Sequence, residues 1–112
     1  DINLQGVRSL INVMALDFQA SAEITLNTGA ATQTQSVHSV DTQSDSAADD
    51  LDTLTPATDK NFLMLKLEDA ARIVTIKHGT GNFTLPGNAD IVMAANSMYQ
   101  FMYDGTNWIK TV

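Results

Sequence analysis

The chain has 112 residues, enough for one domain, and a domain of this length buries roughly 60–70% of the surface that its unfolded chain exposes. It carries 13 acidic residues against 6 Lys and Arg, a net charge of −7, which excludes the concentrated positive charge needed to bind nucleic acid or an anionic membrane. Without Cys it forms neither disulfides nor thiolate metal sites, and no apolar run approaches the roughly 18–20 residues of a membrane span.

The chain begins with a lead-in of uncertain period. Its apolar residues fit helical spacing at first and alternate later, so we expect a strand only near 12–18. The next segment, Ser21–Thr28, alternates cleanly and stops at Gly29, which predicts a half-buried strand closed by a turn. We interpret residues 1–21 as a lead-in or docking segment and residues 22–112 as a single β domain.

Residues 30–58 have a different composition. Thr, Ser, Gln, Ala and Asp dominate there, and neither Lys nor Arg occurs. We expect a long surface excursion, interrupted by one short alternating segment at 36–41. Asp49 and Asp50 are predicted to begin a short helical turn at Leu51.

Beyond Pro56 the chain becomes a series of short β runs separated by Gly, Pro and Asn. Six strands at roughly ten-residue spacing, with no helical segment between them, predict an all-β fold: an antiparallel β-sandwich or a β-prism-like module. The predicted strands are Phe62–Leu67, Arg72–His78, Asn82–Leu85, Ile91–Ala94, Met98–Tyr103 and Asn107–Val112.

The last two strands are predicted to form a hairpin. Asp104 and Gly105 lie between two aromatic-bearing runs, and Asp-Gly supplies the positive φ angles of a tight turn. We expect the hairpin to close at these two residues.

Two of the runs are apolar on both faces. Phe62–Leu65 has no polar break, and Met98–Tyr103 places two methionines and Gln100 on one side and aromatic rings on the other. A sheet of this size cannot bury both faces within one copy, so we expect a homotrimer in which neighbouring copies cover the second face. The predicted interface residues are Leu63, Leu65, Met98 and Met102.

Five segments follow one another in a characteristic order: His38–Thr42, Asp49–Leu54, Phe62–Leu65, Arg72–Leu85 and Phe101–Trp108. In that order they resemble β-modules that recur in bacteriophage and prophage virion proteins, and the resemblance covers about residues 22–112. It implies a trimer in a tail fibre, a tailspike or a capsid decoration protein of the virion, in contact with other capsid or tail proteins and without a cofactor. Residues 1–21 lie outside the pattern, and we expect them to dock this copy onto its particle.

The polar stretch offers one candidate cation site. Oxygen-rich clusters can hold Ca²⁺, and the candidate ligands are Asp41, Asp45 and Asp49. The run lacks the Gly and the closing Glu of an EF-hand loop, so we favour a solvated loop without a metal.

No motif predicts an enzyme. His38 and His78 have Ser and Asp residues nearby in the sequence, but a Gly-x-Ser-x-Gly elbow does not occur. A glycosidase needs two carboxylates held across a groove, and Glu68 and Asp69 fall at a predicted turn. We therefore expect hydrogen-bonding histidines and no catalytic residues.

Three aromatic residues are candidates for ligand contact. Tyr99, Tyr103 and Trp108 can stack on a sugar, or they can belong to the core and the subunit interface. Two functions therefore remain open: a structural module that stabilises or extends the particle, which we favour, and a receptor-binding or glycan-binding tip used in host attachment. A third function, an enzyme that acts on surface polysaccharide, is disfavoured.

Overall fold

The computed structural model describes residues 17–111, which contain strands and two short 3₁₀ turns, at Gln43–Asp45 and Pro86–Asn88. Among these residues there is no apolar helix with the length of a membrane span. The strands are β1 (Ala22–Thr25), β2 (Ala30–Thr32), β3 (Val37–Asp41), β4 (Ala48–Leu51), β5 (Thr53–Thr55), β6 (Phe62–Leu67), β7 (Ile73–Ile76), β8 (Phe83–Thr84), β9 (Ile91–Val92), β10 (Tyr99–Tyr103) and β11 (Trp108–Lys110).

The all-β class predicted from the sequence is confirmed. The six strands expected beyond Pro56 correspond to β6 to β11, and β1 lies within the alternating segment that precedes Gly29. The strand expected near 12–18 falls almost entirely outside the described residues, and Phe18 has no regular structure. The division of the chain at residue 21 stays a prediction.

The expected antiparallel pairing is wrong for most of the described strands. β1 with β3, β3 with β6, β2 with β5, β4 with β7, and β8 with β11 all pair in parallel. Only β6 with β10, β10 with β11, and β7 with β9 are antiparallel. Parallel strands need a long connection between them, and here each connection passes through the other sheets.

Three sheets surround one core. The main sheet has the order β1-β3-β6-β10-β11-β8, a second sheet pairs β2 with β5, and a third has the order β4-β7-β9. From β3 the chain visits the main, third and second sheets and then returns to the main sheet at β6. The strands of successive circuits therefore pair in parallel. The later strands β9 and β10 are antiparallel to β7 and β6, respectively.

The prediction of a surface excursion at residues 30–58 is wrong. Four strands lie there. One of them, β3, is the predicted alternating segment at 36–41, and it occupies an interior position of the main sheet, between β1 and β6. The polar residues His38 and Ser39 are buried on β3 because hydrogen bonds satisfy them. The helical turn expected at Leu51 is wrong as well, since this residue ends β4 and lies fully buried in the core.

The hairpin predicted at Asp104–Gly105 is confirmed. The N–H of Asp104 donates to the carbonyl oxygen of Asn107 at 3.0 Å, and the Asp104 carboxylate accepts from the N–H groups of Thr106 and Asn107 at 2.8 and 2.7 Å. Gly105 has φ +102°, which an L-residue rarely adopts. These local bonds fix the register of β10 and β11.

The core is closed by an aromatic residue from the last strand. Trp108 is fully buried, and its Nε1 donates to the carbonyl oxygen of Leu54 at 2.9 Å. Phe83 and Phe101 meet edge to face, with ring centroids 5.4 Å apart. The indole thus ties β11 to β5 across the core, between segments that are far apart in the sequence.

Candidate functional site

Two of the candidate cation ligands form an ion-pair cluster with Arg72. Its Nη1 donates to both carboxylate oxygens of Asp41, at 2.8 and 2.6 Å, and lies 3.3 Å from Asp45. Asp69 adds a carboxylate oxygen 3.5 Å from Nη2. The hydrogen bond with Arg72 holds the pKa of Asp41 below its ordinary value against the opposing effect of burial, and it raises the pKa of Arg72.

The third candidate ligand has a local structural role. The carboxylate of Asp49 accepts hydrogen bonds from the N–H groups of Gln43 and Asp50, both at 2.8 Å. Within residues 17–111, no group of three or more His, Asp or Glu side chains is placed to hold a metal ion. The structure therefore assigns the carboxylates of Asp41, Asp45 and Asp49 to an arginine and to turn N–H groups.

The first histidine is part of the core. His38 is fully buried, its Nδ1 lies 2.8 Å from the carbonyl oxygen of Ala22, and its Nε2 accepts from the N–H groups of Thr34 and Gln35 at 3.0 and 3.2 Å. Because Nε2 accepts twice, the ring proton lies on Nδ1 and is donated to Ala22. Both ring nitrogens are therefore used in joining β3 to β1 and to the preceding turn.

The hydroxyl next to that histidine has another partner. Ser39 donates to Glu68 in a short hydrogen bond and makes none with His38. A nucleophile needs a base within hydrogen-bond reach, and the base of the pair suggested by the sequence is already occupied. The polar side-chain atoms of His38 and Ser39 thus all have hydrogen-bond partners within the domain.

The second histidine supports a turn. The ring Nδ1 of His78 accepts from the backbone N–H of Leu85 at 2.9 Å. The backbone N–H of His78 donates to the carboxylate of Asp90 at 2.8 Å. The other oxygen of Asp90 lies 2.8 Å from Nζ of Lys77. This pair lowers the pKa of Asp90 and raises that of Lys77, chiefly through their mutual hydrogen bond.

The three candidate aromatic residues do not share one surface. The prediction that Trp108 contacts a ligand is wrong, because no part of its side chain reaches solvent. Tyr103 is half-buried and lies against that indole, with ring centroids 5.1 Å apart. Tyr99 is half-buried at the opposite end of β10, where its hydroxyl accepts from the N–H of Ala94 at 2.9 Å.

An open depression of about 420 Å³ adjoins the ring of Tyr99. It is lined by Ser97, Met98, Tyr99, Gln100 and Lys110. One aromatic ring, one cation and two neutral polar side chains are the kinds of group that orient a polar ligand such as a saccharide. The role of Tyr99 and Tyr103 in ligand contact stays a prediction.

Half of the predicted interface lies inside the core. Leu63 and Leu65 are fully buried within one copy, so the prediction that they form subunit contacts is wrong. In the alternation of β6 these leucines face inward, and Phe62 and Met64 face outward. The run Phe62–Leu65 is apolar on both faces, and nothing in its sequence says which face is the outer one.

The other two interface candidates are exposed. Met102 is 41% exposed and Met98 is 48% exposed, so their place in an interface stays a prediction. The sequence reasoning missed Ile109 and Phe18, which are also exposed. Ile109 lies directly opposite Met102 in the β10–β11 ladder. The predicted hairpin at Asp104–Gly105 could therefore have identified Ile109 as a neighbour of Met102 on the same face.

Comparison with known protein families gives a match. The model of the family described as phage depolymerase C-terminal beta sandwich domain matches residues 42–109, which is more than half of the chain. No curated protein and no solved structure matches. The family match confirms the resemblance to phage virion β-modules that the sequence suggested.

Proposed function

We propose that this chain, which belongs to the phage depolymerase C-terminal beta sandwich domain family, is a non-enzymatic structural module that assembles as a homotrimer on the tail of a phage particle. The family favours a tail fibre or tailspike over a capsid decoration protein. Domains of this kind form the non-catalytic C-terminal part of depolymerase tailspikes and are associated with trimeric tail proteins.

The observation that carries the proposal is the family match over residues 42–109, and the state of the titratable side chains supports its non-enzymatic part. A glycoside hydrolase needs one carboxylic acid whose pKa is raised, so that it can protonate the leaving oxygen. In the part of the chain that the structure describes, the carboxyl groups with a shifted pKa are Asp41, Asp90 and Asp104, and all three are shifted downward. Hydrogen bonds from Arg72, from Lys77 and from backbone N–H groups, respectively, are the largest causes.

The location is tested on purified particles. Gold-labelled antibody against the full chain, viewed by electron microscopy, should mark the tail. Labelling confined to the head surface would support a decoration protein and contradict the tail assignment. The non-enzymatic role is tested by incubating the chain with host surface polysaccharide, and release of new reducing ends would overturn it.

A second candidate function is saccharide binding at the depression beside Tyr99. The observation that favours it is the ring of Tyr99 next to Lys110 and Gln100. Calorimetric titration with host polysaccharide should then give binding that Tyr99→Ala abolishes. Tyr103→Ala, which alters a half-buried ring outside the depression, is the control and should leave binding intact.

A further inference from the structure

The outer face of the main sheet carries a continuous apolar surface, which we call the outer patch. Its members share the side of the sheet that points away from the core, or they lie against that side. They are Phe18, Val37, Phe62, Met64, Met102 and Ile109.

Strand register brings these residues together. Met102 lies opposite Phe62 on one side and opposite Ile109 on the other, which makes one row across three strands. Met64 lies opposite Val37 on β3. Directly opposite side chains in a sheet have Cβ atoms about 4.5–5.5 Å apart, so neighbours in each row are in contact range.

Phe18 extends the patch beyond the sheet. Its ring stacks on that of Phe62 with centroids 5.7 Å apart and planes inclined by 16°. Phe18, Met102 and Ile109 remain 39%, 41% and 37% exposed. Three large apolar side chains on one side of a small sheet are thus available to a partner, and a contiguous apolar surface of this kind marks an interaction site.

The charge of the chain indicates what the partner is. None of the six residues of the outer patch is charged, although the chain as a whole carries −7. Two copies repel each other wherever acidic surfaces meet, so these uncharged rows are where they approach at the lowest electrostatic cost. The next row of the same face carries Glu23 and Lys66, one charge of each sign.

On the outer face of the third sheet a charge lies in the row of the exposed apolar side chain itself. Val92 is 62% exposed there, but it lies opposite Thr75, which in turn lies opposite Asp50. An acidic residue thus stands in the same row as the most exposed large apolar side chain within residues 17–111. Val92 is therefore a control position for Met102: both are exposed apolar strand residues, but Val92 lies on a face that is less suited to contact another acidic copy.

We propose that the outer patches of three copies face a common axis, so that each main sheet is covered by the other two. Three sheets arranged in this way form a triangular prism whose interior is apolar, and each chain then contributes one core of its own and one third of a shared core. The inference rests on the homotrimer of the proposed function and adds the face through which it forms.

The test compares a charge placed on the patch with the same charge placed elsewhere. Met102→Glu should raise the concentration at which half of the full chain is assembled by at least about tenfold, because three buried carboxylates would meet at the axis. Val92→Glu should leave that concentration unchanged within about twofold. Light scattering at several protein concentrations measures both, and circular dichroism checks that each variant is folded.

A milder variant covers the case in which Met102→Glu does not fold. Ile109→Thr keeps a β-branched side chain on an exposed strand position and removes apolar contact area, so it should weaken assembly in a folded chain.

The outcomes separate this inference from the proposed function. Assembly weakened by Met102→Glu or Ile109→Thr but not by Val92→Glu supports the outer patch. A wild-type trimer that persists in both patch variants overturns the patch and leaves the proposed trimer standing. A wild-type chain that is monomeric at every concentration overturns the proposed trimer itself, and the patch as an interface with it.

Discussion

Strands β1 to β5, in residues 22–55, and strands β6 to β11, in residues 62–110, close around one core, but they are built from different residues. The second group buries Phe83, Phe101 and Trp108. The first group contains no Phe, Tyr or Trp; it places polar residues such as His38 in the core region and pairs each of their polar atoms. Burial in this domain therefore follows hydrogen-bond satisfaction as well as hydrophobicity.

The largest effect should come from removing the aromatic part of the second group. Trp108→Ala deletes a fully buried indole and its hydrogen bond to Leu54, and it should lower the free energy of unfolding by about 4 kcal/mol. Chemical denaturation at one fixed protein concentration measures the loss. Val92→Ala, at an exposed position, is the control and should cost less than about 0.5 kcal/mol. Equal losses in the two variants would mean that the indole does not close the core.

The seam between the two groups should be the next most sensitive point. A Cβ added at Gly81 would overlap the backbone oxygen of Asp52 and the hydroxyl of Thr53, so Gly81→Ala should cost about 3 kcal/mol. Gly79→Ala is the matched control, because its Cβ meets no atom and only its φ of +72° is unfavourable. A smaller loss in Gly81→Ala than in Gly79→Ala would show that the two segments do not approach so closely.

The polar core of the first group is tested at its buried histidine. His38→Leu fills similar space but leaves the N–H groups of Thr34 and Gln35 without their acceptor, and it should cost about 2 kcal/mol. His78→Leu loses a single accepted bond at a half-buried position and should cost about half as much. A stabilised His38→Leu variant would contradict the role given to hydrogen bonding in this region.

An effect smaller than that of His38→Leu should come from the ion pair at the end of β3. Asp41→Asn should cost about 1.5 kcal/mol at neutral pH, because it removes the charge that Arg72 contacts. The pKa of Asp41 lies below its ordinary value of 3.8 in the folded state, chiefly through Arg72. Its contribution is therefore fully present above pH 3.8 and is lost as the pH falls through the lower folded-state value.

Denaturation curves at several pH values measure that contribution. The difference in stability between wild type and Asp41→Asn should shrink in acid. A difference that stays constant down to the most acidic point at which the chain folds would exclude the ion pair as its source.

The contrast between the two groups also explains which parts of the fold the sequence predicted. The hairpin at Asp104–Gly105 and the bounds of Phe62–Leu67 were predicted correctly, because turn chemistry and apolar runs are local signals. Within residues 30–58 the alternating segment at 36–41 was recognised and is β3. The other strands there and the burial of β3 were missed, because that burial depends on distant partners such as Glu68 and Arg72. Parallel pairing was missed for the same reason, since no short segment specifies which distant strand it will meet.

The candidate site was predicted only in part. Carboxylates near Asp41 were recognised as a cluster, but Arg72 lies far along the chain and was not seen as their counter-ion. Leu63 and Leu65 were placed on the wrong face, because a run that is apolar throughout contains no inside-outside signal. The cross-strand register of β6, β10 and β11 supplies that missing signal and identifies the outer patch.

The most direct test of the central claim, that the domain completes its burial as a trimer, is the mass of the unmodified full chain at sedimentation equilibrium over about a hundredfold range of concentration. We expect a single species of three times 12.1 kDa at the upper end, with dissociation on dilution. A folded monomer of 12.1 kDa throughout that range would contradict the account and leave the outer patch without a partner copy.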